Sequence, residues 1–310
     1  MIACKTPVYA FAFGTVAVFV KDMAFETFGR YTYGATVRVM SVIPSTGSNS
    51  GGLKLQLLGT HFKSANSATC IFGVVAIEAT IHSDQSASCL TPPHASGVVT
   101  ISLGGVSTIN GRDFLFHDPI FIRTLLPSLG PLLGGSVVTV AGTNFQKSSL
   151  CKFAQVERKA NFISSSIILC LSPAFSHAVS LQVSVTPNGH EYSNTVEYQC
   201  SKPARVTNIS PSQGKTDKVA IVTLTGQDFV ESQWLSVRFG GEKIQTEVVW
   251  ISSSIIACSV PEDSGKVNVS VSVSNDGQYF APSVVQYLMD RSKSILRAMP
   301  SVGPSIGRTV

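Results

Sequence analysis

Of the seven cysteines in this 310-residue chain, four keep a common interval: Cys70 and Cys89 are 19 positions apart, and so are Cys151 and Cys170. Two thiols at a separation that recurs down a chain can oxidise to one bridge per repeat, which belongs to an oxidising compartment. A loop of that size stabilises by about 3 kcal/mol in the chain-entropy view. The alternative is four buried thiols in a cytosolic protein. Cys4 matches the second member of each pair, so its partner is expected upstream of residue 1. A third pair is incomplete, since Val237 stands where its first cysteine should be and leaves Cys258. Cys200 has no counterpart, and spacing leaves a Cys200–Cys258 bridge open.

Other chemistry is sparse. Asn208-Ile209-Ser210 and Asn268-Val269-Ser270 are N-glycosylation acceptor triplets, the first weakened by Pro211 directly after it. His61, His82, His94, His117, His177 and His190 share no metal-ligand spacing with one another, with a cysteine or with a carboxylate, so no metal or cofactor is expected. Gly214-Lys215-Thr216 has the tail of a phosphate loop, but Ile209 stands where such a loop needs glycine and no helix follows. No nucleophile elbow or His-Glu-x-x-His is present, and no enzyme is expected. Trp234 lacks an aromatic counterpart elsewhere in the chain and is a candidate interface anchor, set against ordinary packing. The net charge of +5 is mild and its lysines and arginines are scattered, unlike a nucleic-acid binder.

The elements that hold these residues repeat. Pro44, Gly47, Gly51-Gly52, Gly59 and Phe62 return as Pro127, Gly130, Gly134-Gly135, Gly142 and Phe145, then more weakly as Pro211, Gly214, Gly226 and Phe229. Phe62 to Phe145 is 83 residues and Phe145 to Phe229 is 84. Cys-x-x-Pro occurs at Cys4, Cys89, Cys170 and Cys258, followed 27 to 29 positions on by Tyr33, Phe116, Tyr198 and Tyr287. Such a period gives a string of domains each with its own core, rather than a solenoid. The expected units are 1–38 (the C-terminal half of a truncated module), 39–118, 119–202 and 203–289, with 290–310 a linker and the start of another truncated repeat at Pro300 and Gly303. Asp118-Pro119 and Lys202-Pro203 join neighbours tightly, so a semi-rigid rod is expected.

Within a unit the hydrophobic period is two. Val267, Val269, Val271 and Val273 alternate with polar residues, as do Leu181, Val183 and Val185, and each run ends in a turn such as Asn275-Asp276-Gly277 or Pro187-Asn188-Gly189. Leu53, Leu55 and Leu57, then Val138 and Val140, then Val222 and Leu224, supply an earlier inward row. Thr15–Val20 falls where other units carry a strand, which is preferred over a signal peptide, and no run reaches the length that spans a bilayer. The fold class is therefore all-β, built of immunoglobulin-like sandwiches.

The motif set Pro-x-x-Gly, Gly-Gly, Gly-x-x-Phe, Cys70-Ile71-Phe72-Gly73 and Cys89-Leu90-Thr91-Pro92 resembles the IPT/TIG domains (immunoglobulin-like, plexin, transcription factor), which are of the E-set type. Cys151-Lys152-Phe153-Ala154 departs by one residue, and the third unit lacks the first cysteine and the Gly-Gly. Tandem copies with paired cysteines imply a non-enzymatic ectodomain of a receptor or adhesion protein, at the cell surface or secreted, which presents surfaces to a protein ligand or neighbouring surface protein. The resemblance also admits an intracellular Rel-like dimerisation scaffold and a carbohydrate-binding appendage of a larger enzyme.

Overall fold

The computed structural model describes residues 14–21, 26–33, 36–65, 68–104, 111–215, 220–241, 247–261 and 268–290. β1 (Gly14–Lys21) and β2 (Glu26–Tyr33) form an antiparallel pair with Gly14 opposite Tyr33, so Thr15–Val20 is a strand. Cys4 and the repeat start at Pro300 lie outside the described residues.

Three β-sandwiches follow. The first holds β3 (Arg38–Ile43), β4 (Thr46–Ser48), β5 (Lys54–Thr60), β6 (Thr69–Phe72), β7 (Val75–Ile81), β8 (Ser86–Leu90), β9 (Gly97–Leu103) and β10 (Arg112–His117). The second holds β11 (Phe121–Leu126), β12 (Leu129–Pro131), β13 (Val137–Thr143), β14 (Leu150–Phe153), β15 (Val156–Lys159), β16 (Asn161–Ser164), β17 (Ile167–Leu171), β18 (Val179–Thr186) and β19 (Val196–Ser201). The third holds β20 (Arg205–Ser210), β21 (Gln213–Lys215), β22 (Ile221–Gln227), β23 (Ser236–Phe239), β24 (Val248–Ser252), β25 (Ile255–Ser259), β26 (Asn268–Ser274) and β27 (Gln286–Asp290).

The two sheets of the second sandwich run β11-β13-β17-β16 and β12-β19-β18-β14-β15, and the third repeats this as β20-β22-β25-β24 and β21-β27-β26-β23. In the first sandwich β7 pairs with β6 along its first half and with β8 along its second, which links both sheets into one eight-stranded order. The chain changes sheet at its opening proline. β3 is antiparallel to β5, whereas β4, beyond the cis Ile43-Pro44 bond, is parallel to β10. Leu126-Pro127 and Ser210-Pro211 mark the same switch.

Each sandwich closes its own core, the alternating rows facing inward from both sheets. Leu55, Leu57, Val138, Val140, Val222 and Leu224 are fully buried, and each such side chain stabilises by about 1.5–3 kcal/mol. The Gly-x-x-Phe bend has an unexpected logic. At Gly59, Gly142 and Gly226 a Cβ would strike the carbonyl of Arg38, Phe121 or Arg205 and the following phenylalanine ring, so glycine is required for space. The left-handed residue is the one just before the phenylalanine: His61, Asn144 or Asp228.

The ladders correct one equivalence. Val99 pairs with Phe114, Leu181 with Tyr198 and Val269 with Tyr287, so Phe114 and not Phe116 holds the register of the two tyrosines. Phe116 instead matches Cys200 and Met289, which face Gly47, Gly130 and Gly214 across the parallel pair. Cys200 thus occupies an apolar core position, which explains why it had no cysteine counterpart.

Candidate functional site

Cys70 is joined to Cys89 and Cys151 to Cys170, with Cα–Cα separations of 6.5 and 6.2 Å. In the third sandwich Val237 takes the first place, pairing with Val273 as Cys151 pairs with Val185. Cys200 lies in the second core and Cys258 in the third, so the bridge between them that spacing left open is not made. Burial pushes the Cys200 thiol up to about 11, the setting of a packed side chain rather than a reactive one.

Chemistry of a different kind collects where one sandwich meets the next. The turn between β18 and β19 and the turn after β26 are built alike. Asn188 Oδ1 accepts the N–H groups of His190 and Glu191, both at 3.0 Å, and Asp276 Oδ1 accepts those of Gln278 and Tyr279 at 3.0 and 2.8 Å. Thr186 Oγ1 accepts from Asn188 and Gly189, while Ser274 Oγ donates to Asp276. This is the local asparagine/aspartate turn in which a side chain replaces a backbone carbonyl. Behind it an aromatic ring is held by a cation from the neighbouring strand. Lys152 Nζ lies 4.5 Å from the Tyr192 ring centre, and the Arg238 guanidinium lies 3.9 Å from that of Phe280. Tyr192 also donates to Glu157 at 2.7 Å, a bond that raises its pKa.

Both turns reach back to the preceding sandwich. At the first joint Asn188 Nδ2 donates to the Thr46 carbonyl at 2.8 Å, and the Ser48 N–H donates to Glu191 Oε2 at 2.9 Å. At the second joint Ser136 Oγ donates to Asp276 Oδ2 at 2.5 Å. Gln278 then brackets the backbone of one residue, accepting from the Val137 N–H at 2.8 Å and donating to the Val137 carbonyl at 2.9 Å. Ser136 and Asp276 are each 2% exposed, so this carboxylate is desolvated yet met by four donors, which is what makes a buried charge tolerable. The linker of the first joint is fixed as well. Asp118 Oδ1 accepts from Asn49 Nδ2 and Ser96 Oγ, both at 2.7 Å.

The joints differ in filling. A cleft of about 370 Å³ at the first is lined by Ser48, His117, Pro119, Glu191, Tyr192 and Ser193. At the second a cavity of about 10 Å³ is lined by Pro131, Ser201, Pro203, Asp276 and Tyr279, the last at the turn position that Glu191 holds at the first.

Of the other sequence candidates, Trp234 is half-buried with its ring N–H enclosed; the second tryptophan, Trp250, donates to the Phe229 carbonyl at 3.2 Å beside the third core. Asn208 and Asn268 are both exposed, on β20 and β26. Gly214 and Lys215 of the phosphate-loop-like triplet sit in strand β21, and Thr216 lies outside the described residues. Among the described residues no three His, Cys, Asp or Glu side chains cluster as metal ligands, and no helix is long and apolar enough to cross a membrane. Of the joint residues, Asn188 and Asp276 read in the sequence only as turn positions, and Ser136, Glu191 and Gln278 carry no signal of their own. The available signal was the shared Thr/Ser-x-Asn/Asp-Gly, with an aromatic four residues beyond the Asn or Asp, at Thr186 and Ser274.

Comparison with known proteins matches residues 38–117, 119–200 and 204–287 to the IPT/TIG domain model. The chain is 25% identical over 292 residues to human Fibrocystin-L, which covers 88% of this chain and 7% of that protein. It is 21% identical over 241 residues to human Plexin-A4, covering 72% of this chain and 13% of that one. The chain therefore spans only a small part of the length of these relatives. Among solved structures, the full extracellular region of plexin A4 aligns at 16% identity and a TM-score of 0.44, over 81% of this chain and 24% of the other.

Proposed function

Because this chain belongs to the IPT/TIG family, matched over three successive units, we propose that it is a stretch of receptor-type or adhesion ectodomain whose modules hold protein-binding surfaces at set spacing and orientation. The observation that carries this reading is the repeated joint. At both junctions the same asparagine/aspartate turn of the following sandwich bonds to the opening segment of the one before, to β4 at the first and to the start of β13 at the second. A chain that needed only linked, freely swivelling domains has no use for a desolvated carboxylate at a junction. The two disulfides and the sequence likeness to a plexin support an extracellular setting. The ligand is a protein or a neighbouring surface protein, and the modules act without catalysis.

The test uses the protein in its own cells. Intact cells or their medium are labelled with an impermeant reagent, and the chain is digested under non-reducing conditions. Surface or secreted label with Cys70–Cys89 and Cys151–Cys170 peptides still joined is the expected result. Label gained only after permeabilisation, or free thiols at those four positions, overturns the reading.

A further inference from the structure

We propose that Asn268 carries an N-linked glycan that covers Leu288 and closes the outer face of this sheet of the third sandwich to protein contact, an inference that rests on the ectodomain reading above. Asn268 and Ser270 are exposed while Val269 between them is 4% exposed. The pleat therefore puts the acceptor amide and the serine hydroxyl of the triplet on one outward face. On the neighbouring strand Asn268 stands opposite Leu288 and Ser270 opposite Gln286. Leu288 is 39% exposed, an apolar side chain in the place where a sugar attached to Asn268 would lie.

The equivalent outward pair is Val98 with Leu115 in the first sandwich and Ser180 with Gln199 in the second. Only the third places an acceptor asparagine beside the leucine. Asn268 Nδ2 donates to Gln286 Oε1 at 2.6 Å. Glycosylation consumes one of the two amide hydrogens, so the remaining N–H can keep this bond and hold the first sugar along the sheet. In the transfer, Asn268 Nδ2 attacks the anomeric carbon of an oligosaccharide carried on a lipid diphosphate. The N–C bond forms, the C–O bond to phosphate breaks, the lipid diphosphate leaves and the amide proton passes to a base. Oxidation states do not change. Asn208 is the poorer acceptor, because Pro211 follows Ser210 at once and restricts its backbone.

The full chain, expressed behind a secretion signal in glycosylating cells, is treated with an amide-cleaving glycosidase in heavy-oxygen water and mapped by mass spectrometry. The expected result is heavy-oxygen aspartate at position 268, with one glycan's mobility shift lost in Asn268→Gln and in Ser270→Ala and kept in Asn208→Gln. Two variants guard against a folding defect in either. Unmodified Asn268 in the secreted, disulfide-bonded chain overturns the inference and leaves the ectodomain reading standing. A glycan at Asn268 here, combined with reduced cysteines in the protein from its own cells, overturns the ectodomain reading instead.

Discussion

Replacing Ser136 by alanine should destabilise the third sandwich, although Ser136 belongs to the second. Its hydroxyl is buried and donates to Asp276 Oδ2, the one of four donors to that carboxylate that crosses the joint. A hydrogen bond to a charged group contributes about 1.5–3 kcal/mol. Three donors remain to Asp276, so the lower end, about 1.5 kcal/mol, is expected. Both tryptophans of the chain, Trp234 and Trp250, lie in the third sandwich, so tryptophan fluorescence follows its unfolding alone. With a urea slope near the low end of about 1–3 kcal/mol/M for so small a unit, Ser136→Ala should lower the tryptophan-monitored midpoint by roughly 1–1.5 M. A double-mutant cycle with Asp276→Asn should return a coupling of about 1 kcal/mol or more. Unchanged tryptophan midpoints in both Ser136→Ala and Gln278→Ala would refute the view that the turn couples the two units.

Three further outcomes are expected. A Cβ at Gly130 would collide with the buried Tyr198 hydroxyl; Gly130→Ala should therefore lower the thermal midpoint of the second sandwich by an overpacking penalty of about 1–3 kcal/mol, and adding Tyr198→Phe should recover most of it. Burial pushes Tyr198 up to about 12 from 10.0 and Cys200 up to about 11 from 9.0. Both groups are neutral in the folded chain and ionise more readily when unfolded, so stability is intact below pH 9 and falls between about pH 9 and 12; tyrosine absorbance showing Tyr198 ionised at pH 10 in the folded state would contradict this. Val237→Cys should form a bridge with Cys258 at the register used by Cys70–Cys89, removing the Cys258 thiol from a thiol titration and stabilising the third sandwich by about 3 kcal/mol against urea.

The repeat, the fold class and the family were legible in the amino-acid order alone. A two-residue alternation such as Val269, Val271 and Val273 states which face is inward, and proline and glycine mark where the chain must turn. Those signals are local, and they recur because every unit solves the same burial problem. They misled only where two aromatics compete for one strand: Phe114 and Phe116 both face inward, and spacing alone favoured Phe116, while the pairing with Val99 selects Phe114. What the tertiary structure decided was the joints. Ser136 reads as the small residue after a Gly-Gly turn, at a position where the first unit has Leu53 and the third Ala220. Its hydroxyl reaches Asp276, 140 positions away, because the second and third sandwiches meet there. No local period encodes a contact between two separately closed cores, since each core forms without reference to its neighbour's placement.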